Sequence, residues 1–384
     1  MTLPLDVPVS LYVHLPWCER KCPYCDFNSH EGFTEELQAP YIKALLADLD
    51  SQADWLGRRE IHSIFIGGGT PSLFSGESID SLLSGIAQRA RLSVGLEVTL
   101  ETNPGSAEAA RYRDYFQSGV TRLSVGVQSF DDDLLAQLGR VHNSAEAKQA
   151  LDFADSAGFT RWNIDLMHGL PGQTAEGAAA DLEAALLRSA GHISWYQLTL
   201  ERNTAFWSNP PTLPDEDTLE AIQIAGEATL YAAGFQQYEV SAHSLPGEES
   251  RHNVNYWEFG DYLGIGAGAH GKVTRPDGTI LRSRRTRTPA DYLALSAKSE
   301  MPAPTSTPIP PASLPGEFAM NALRLRRGAP LSTFSERTGL SADRLMEAAA
   351  VAISQGWVAD PTNGTFVATP MGYRFLDSVI ASFL

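Results

Sequence analysis

The sequence is poor in cysteine: 384 residues hold only three, Cys18, Cys22 and Cys25, all inside one short stretch. An odd, clustered set is a poor basis for disulfides and reads instead as a metal site in a reducing compartment. Positive charge is also scarce. Lys and Arg number 29 against 46 Asp and Glu, a net charge of −17. That balance speaks against a nucleic-acid backbone as the main ligand. No apolar run approaches the roughly 18 residues of a membrane span. Residues 1–10 lack the basic-then-apolar order of a secretory signal. The expectation is a cytoplasmic protein. Hydrophobic residues at 43% and charged residues at 20% supply a large core and exclude global disorder.

What is present is an alternation of short apolar runs with helical patterns. Strands are predicted over 9–14, 62–66, 96–101, 122–127, 162–166 and 194–200, rich in Val, Ile, Leu and aromatics, as suits strands buried on both faces. Helices are predicted over 39–50, 79–91, 107–117, 145–156, 174–188 and 217–233. In the first of these, Ile42, Leu45, Leu46 and Leu49 share one face. Six such units predict an α/β fold, a parallel sheet with right-handed crossovers forming a partial (β/α)6 barrel, since a closed one needs eight. Barrels of this kind carry their sites where strands end and loops begin.

Beyond residue 236 the alternation fades. One more strand is predicted over 236–241, and Pro276, Asp277 and Gly278 mark a hairpin turn. Residues 301–315 contain six prolines and read as a linker. The tail has helices over 318–325, 331–338 and 342–355. Two strands (357–360 and 365–368) then flank Asn363-Gly364, a winged-helix-like α+β pattern. With six Arg against six Asp and Glu in 316–384, the tail is neutral, favouring a structural role over DNA binding. The domain expectation is therefore a barrel (1–240), a barrel-closing region (241–300), the linker (301–315) and the winged-helix-like domain (316–384).

Cys18-Glu-Arg-Lys-Cys22-Pro-Tyr-Cys25 directly follows the first predicted strand. Three thiolates on one loop can hold three corners of a cubic iron–sulfur cluster and leave the fourth iron open. The alternative is zinc, with His14 or His30 as fourth ligand. Ile66-Gly-Gly-Gly-Thr-Pro71 exposes backbone groups and allows close approach of a ligand, or is an ordinary tight turn. Glu101 ends the third strand. A carboxylate at the mouth of an apolar barrel is costly unless it meets a cation or donors.

The C-x3-C-x2-C loop, with Leu11-Tyr-Val-His-Leu-Pro-Trp-Cys18 and Cys22-Pro-Tyr-Cys-Asp-Phe-Asn-Ser-His30, resembles the radical S-adenosylmethionine (SAM) superfamily. More narrowly, it resembles the branch containing oxygen-independent coproporphyrinogen III oxidases and heme chaperones, from about Leu11 to the C-terminus. The resemblance implies a [4Fe–4S] cluster on Cys18, Cys22 and Cys25, with SAM chelating the open iron. It implies SAM contacts from Tyr12, Tyr24, Gly68, Gly69, Thr70, Glu101, Gln128, Arg140 and Asp165, though Tyr12 and Tyr24 also suit core packing.

The two branches differ at particular residues. Oxidases carry a fourth cysteine two positions after the third, where this chain has Phe27, and a longer segment before the first strand. Arg251-His-Asn-Val-Asn-Tyr-Trp257 matches the His-Asn-x-x-Tyr-Trp motif of the chaperones. The resemblance thus implies a heme-binding protein that delivers heme to respiratory acceptors, membrane-associated ones among them; the sequence leaves a homodimer open. No catalytic residue is assigned, and porphyrinogen decarboxylation is the rival reading. His252 is the candidate axial ligand, with Tyr256 and Trp257 covering the macrocycle; the alternative is a hydrogen-bonded loop histidine. Arg282, Arg284, Arg285 and Arg287 form a basic cluster suited to propionates, or simply a solvated strand edge.

Overall fold

The computed structural model describes residues 7–105, 111–188, 190–297 and 300–383. The predicted helix over 107–117 begins outside that range. Its described part is Tyr112–Gln117.

Alternation within β1 (Val9–Leu15) sets up the site. Val9, Leu11, Val13 and Leu15 are fully buried in the main core. Ser10, Tyr12 and His14 point the other way, because successive strand side chains alternate faces. The next five strands are β2 (Glu60–Gly68), β3 (Arg91–Thr102), β4 (Arg122–Gln128), β5 (Arg161–His168) and β6 (His192–Gln197). All pair in parallel and in chain order. Helices Gln38–Asp50, Gly76–Ala87, Ser144–Ala157 and Ala175–Leu186 return the chain between them. Side-chain caps start three of these or their neighbours: Ser75, Asn143 (a reciprocal box with Glu146) and Thr174 each accept from a first-turn N–H.

The six parallel strands belong to a longer sheet than expected. The predicted strand over 236–241 is a tight antiparallel pair, β7 (Gln236–Glu239) and β8 (Ala242–Ser244), and β8 sits against β6. On the other side β9 (Asp261–Ile265) lies parallel to β1, so β1 is central rather than an edge. The hairpin β10 (His270–Thr274) and β11 (Ile280–Arg284) follows, with Gly278 at φ 86° in its turn.

The proline-rich stretch is not a free spacer. Thr305–Pro308 forms β12, the outermost strand against β11. Proline is tolerated there because an edge strand leaves backbone N–H groups unpaired anyway.

Helices Leu314–Ala322, Leu331–Thr338 and Ala342–Ser354 then enclose a second, smaller core around Phe318, Phe334 and Phe366. Of the two predicted tail strands, the first is only a bridge, Val358 to Ala368. The second, Thr365–Phe366, pairs with Ala329–Pro330.

Candidate functional site

The lumen of the sheet is filled in layers. At its base Ser10 and Ser63 share a hydrogen bond of 2.8 Å, and Ser63 also bonds His252 Nδ1 at 3.0 Å. Helix Arg251–Trp257 enters here, its first N–H groups held by the Glu97 carboxylate. One turn higher, the Tyr256 hydroxyl meets His252 Nε2 at 2.8 Å. Tyr12 and Phe65 stack in the same layer. Above them, at the carboxyl ends of the strands, lies a cavity of about 630 Å³. Tyr12, His14, Gly68 and Glu101 form its floor, Asp26–Asn28 one wall, and Tyr256, Trp257, Tyr262, His270 and Arg287 another.

The three cysteines leave β1 on a loop that folds back on itself. Cys18 N–H donates to His30 O at 2.9 Å and Cys25 N–H to Cys22 O at 3.1 Å. All three thiols are free and half-buried, and burial pushes Cys18 and Cys25 above the ordinary thiol range. A bound cation reverses that by favouring the thiolate.

His14 has both ring nitrogens committed, and His30 has one. His14 bonds the Tyr12 hydroxyl through Nδ1 and Asn28 O through Nε2, both at 2.9 Å, and His30 Nε2 lies 3.2 Å from Arg287 O. Among the described residues no three His, Cys, Asp or Glu side chains converge on a single-ion site. A cubic cluster, by contrast, takes its three thiolates at separate corners and needs no fourth protein ligand. The residues present fit the cluster better than zinc.

Around this loop the strand ends gather the other candidate residues. The glycine turn brings Gly68 to φ 118°, and a β-carbon there would lie 2.6 Å from the His14 ring. Gly68 N–H donates to Glu101 Oε2 at 3.1 Å. Burial, with the Asp165 charge adding to it, pushes the Glu101 carboxyl up to about 7. Asp165 accepts from Ser124 Oγ at 2.8 Å and Asn163 Nδ2 at 2.7 Å, and burial raises its carboxyl as well.

Gln128 sits at φ 72°, a conformation rare outside glycine, with Tyr196 donating to its Oε1 at 2.7 Å. Such strain persists where the surroundings over-determine it, typically at ligand sites. Arg140, which would pass for a surface residue in sequence, is half-buried. It reaches Cys22 Sγ at 3.5 Å, Asn103 Oδ1 at 2.7 Å and Gly126 O at 2.8 Å, and its Nε has no partner. Asn103 also donates to Thr70 Oγ1 at 3.1 Å, and so links two candidate residues. It was overlooked, although it lies in the same Glu101-Thr-Asn-Pro104 segment. Tyr24 packs beside Phe206 in a satellite apolar cluster, while Tyr12 faces the cavity.

His252 is the exception among the candidates. It lies 1% exposed, one layer below the cavity, with both ring nitrogens engaged, while Tyr256 and Trp257 do reach the wall. In this arrangement its ring reads as a hydrogen-bonded plug. The arginine cluster also divides. Arg285 is buried against Asp48, Arg282 is paired with Glu317, and Arg284 and Arg287 stay exposed with no ion pair among the described residues.

A parallel partial barrel with three free cysteines after its first strand, and a polar ring at its strand ends, defines a radical SAM protein. The radical SAM superfamily pattern matches residues 12–185, and the HemN C-terminal domain pattern residues 309–375. The heme chaperone HemW of Escherichia coli is 47% identical over 380 residues, 98% of each chain. That of Haemophilus influenzae is 46% identical, covering 100% of this chain and 99% of its own. The solved coproporphyrinogen III oxidase HemN of E. coli shares the fold, with a TM-score of 0.81 at 20% identity over 98% of this chain and 90% of its own. This chain belongs to the HemW family of radical SAM proteins. Membership of the superfamily implies a [4Fe–4S] cluster and SAM, and the end-to-end similarity to HemW proteins supports the chaperone reading over the oxidase.

Proposed function

We propose that this protein binds heme and hands it to acceptor proteins, carrying a [4Fe–4S] cluster on Cys18, Cys22 and Cys25 and SAM beside it. The observation that carries this reading is end-to-end similarity to heme chaperones, in a chain whose third cysteine is followed two positions later by Phe27. The 630 Å³ cavity supports it, since aromatic and cationic side chains share one wall. The cluster, when bound, offers an open iron to SAM and a source of one electron.

This chain's own residues would do the positioning. Glu101 and the Gly68–Thr70 turn would hold the ammonium end of SAM. Tyr12, Tyr24, Gln128, Asp165 and Arg140 would line the rest. Free, half-buried thiols suit a reducing compartment such as the cytoplasm. Among the described residues no helix is long and apolar enough to cross a membrane, so membrane-bound respiratory acceptors would be met by contact rather than by insertion.

The test is anaerobic reconstitution of the full chain, followed by hemin titration and transfer to an apo-cytochrome. Saturable heme binding, transfer, and no protoporphyrinogen from coproporphyrinogen III with SAM and reductant are expected. Cys18→Ala should lose iron and sulfide. Decarboxylation without heme binding would reverse the assignment in favour of the oxidase.

A further inference from the structure

Heme held in the cavity needs an axial ligand, and the wall narrows the choice. Of nine histidines in the chain, only His14 and His270 line it. His14 has both nitrogens committed, one to Tyr12 and one to Asn28 O. His270, the first residue of β10, is exposed to the cavity and makes no side-chain hydrogen bond among the described residues.

Among the described residues the wall offers no other free imidazole, phenol or thioether. Tyr12 and Tyr256 spend their hydroxyls on His14 and His252, Tyr262 interacts with Arg282, and no methionine lines the cavity. Burial, with Arg284, Arg282 and Arg287 nearby, lowers His270 below the ordinary imidazole range, which keeps the ring neutral as a ligand must be.

The surroundings supply the remaining groups a porphyrin requires. Arg284 stands directly opposite His270 across the β10–β11 ladder, so the two side chains share a face. Arg287 lies in the cavity wall, and neither arginine is ion-paired among the described residues. Trp257 and Tyr262 present aromatic surface on the same side, and Trp257 Nε1 is buried with no acceptor. Asn28 ties the cluster loop to this wall, donating to Ala267 O at 3.0 Å and Arg287 O at 2.8 Å.

We propose that His270, rather than His252, ligates the heme iron, with Arg284 and Arg287 receiving the propionates. The proposal rests on the heme-binding reading above and assigns its ligand.

Hemin titration of the full, cluster-loaded protein, read by absorbance and electron paramagnetic resonance, tests it. His270→Ala should bind at least about tenfold more weakly, a loss of about 1.4 kcal/mol, and lose the parent's axial signature. Added imidazole should restore the spectrum, and His270→Tyr should convert it to that of a phenolate-ligated ferric heme. Because His270 is exposed, these variants should keep the parent's melting temperature and cluster content. Arg284→Ala with Arg287→Ala should weaken binding without altering the axial signature.

A His270→Ala protein with the parent's spectrum and affinity would overturn the proposal. So would a spectral change confined to His252→Ala, which would return that residue to the iron. A parent protein that binds no hemin would bring down the heme-binding reading itself, and the ligand with it.

Discussion

Glu101 is a carboxylate placed where a cation is wanted. It has one backbone donor, from Gly68, and no positively charged partner in any ion pair among the described residues. Burial raises it to about 7, so near neutral pH it is poised between charged and neutral forms. A ligand ammonium beside it would favour the charged form, and binding below that pH would require a proton to leave. SAM affinity should therefore fall as pH drops below about 7, by up to about tenfold per pH unit. Equilibrium dialysis with labelled SAM at pH 6 and pH 8 measures this. Glu101→Gln should bind weakly at both values and show no such slope; an equally steep slope in that variant would assign the titration to another group.

The strands after helix Arg251–Trp257 depend on a few buried polar anchors. The Asp48 carboxylate binds Arg285, the Tyr292 hydroxyl at 2.7 Å, Gln52 Nε2 at 2.8 Å and Gly266 N–H at 3.1 Å. It thereby holds β9, β11 and the Pro289–Ser296 helix onto helix Gln38–Asp50. Both charges of the Asp48–Arg285 pair are at most 2% exposed. Removing one partner of such a pair leaves the other charged and uncompensated, at a cost of about 3–5 kcal/mol. Arg285→Ala should lower the unfolding free energy measured by urea titration by that amount. Arg344→Ala, which breaks the exposed Arg344–Glu347 pair, should change stability by no more than about 0.5 kcal/mol. Comparable losses from the two would mean that Asp48 is neutral in the fold.

Across the whole molecule, burial sets an acid limit. His142, His168 and His243 are depressed to about 4, and His252 to about 3, chiefly by desolvation. His243 has neither ring nitrogen bonded. A histidine depressed in the fold stays neutral there while the unfolded chain takes up a proton near pH 6.5. Its effect on stability is absent above that value and becomes destabilising as pH falls toward the folded value. Each such group contributes up to about 1.4 kcal/mol per pH unit across that window. Urea unfolding between pH 6.5 and pH 4 should show a shallower acid loss in His243→Gln than in the parent. Parallel curves would mean that the His243 ring is protonated in the folded state.

Local information was enough for the strands, the helices and the three cysteines. Short apolar runs buried on both faces, the 3.6-residue periodicity and the C-x3-C-x2-C spacing are written in neighbouring residues, and β1 to β6 appear within a few positions of where the pattern places them. The polar positions at the strand ends came from the family resemblance rather than from periodicity, and they gather because a parallel sheet puts every strand end on one face. Long-range pairing was not legible. Nothing near residues 261–265 signals that they will lie beside β1, nor that prolines 302–311 will flank an edge strand. The partners of a side chain belong to that second kind of information. His252 and His270 are both histidines near aromatics in sequence, and Arg284 and Arg285 are neighbours. Only the packing of distant segments buries His252 between Ser63 and Tyr256 and pairs Arg285 with Asp48, while leaving His270 open at the cavity and Arg284 exposed opposite it on the next strand. Hydrogen-bond commitment and burial depend on contacts between elements far apart in the chain, and those contacts decide which of two similar residues is free to bind a ligand.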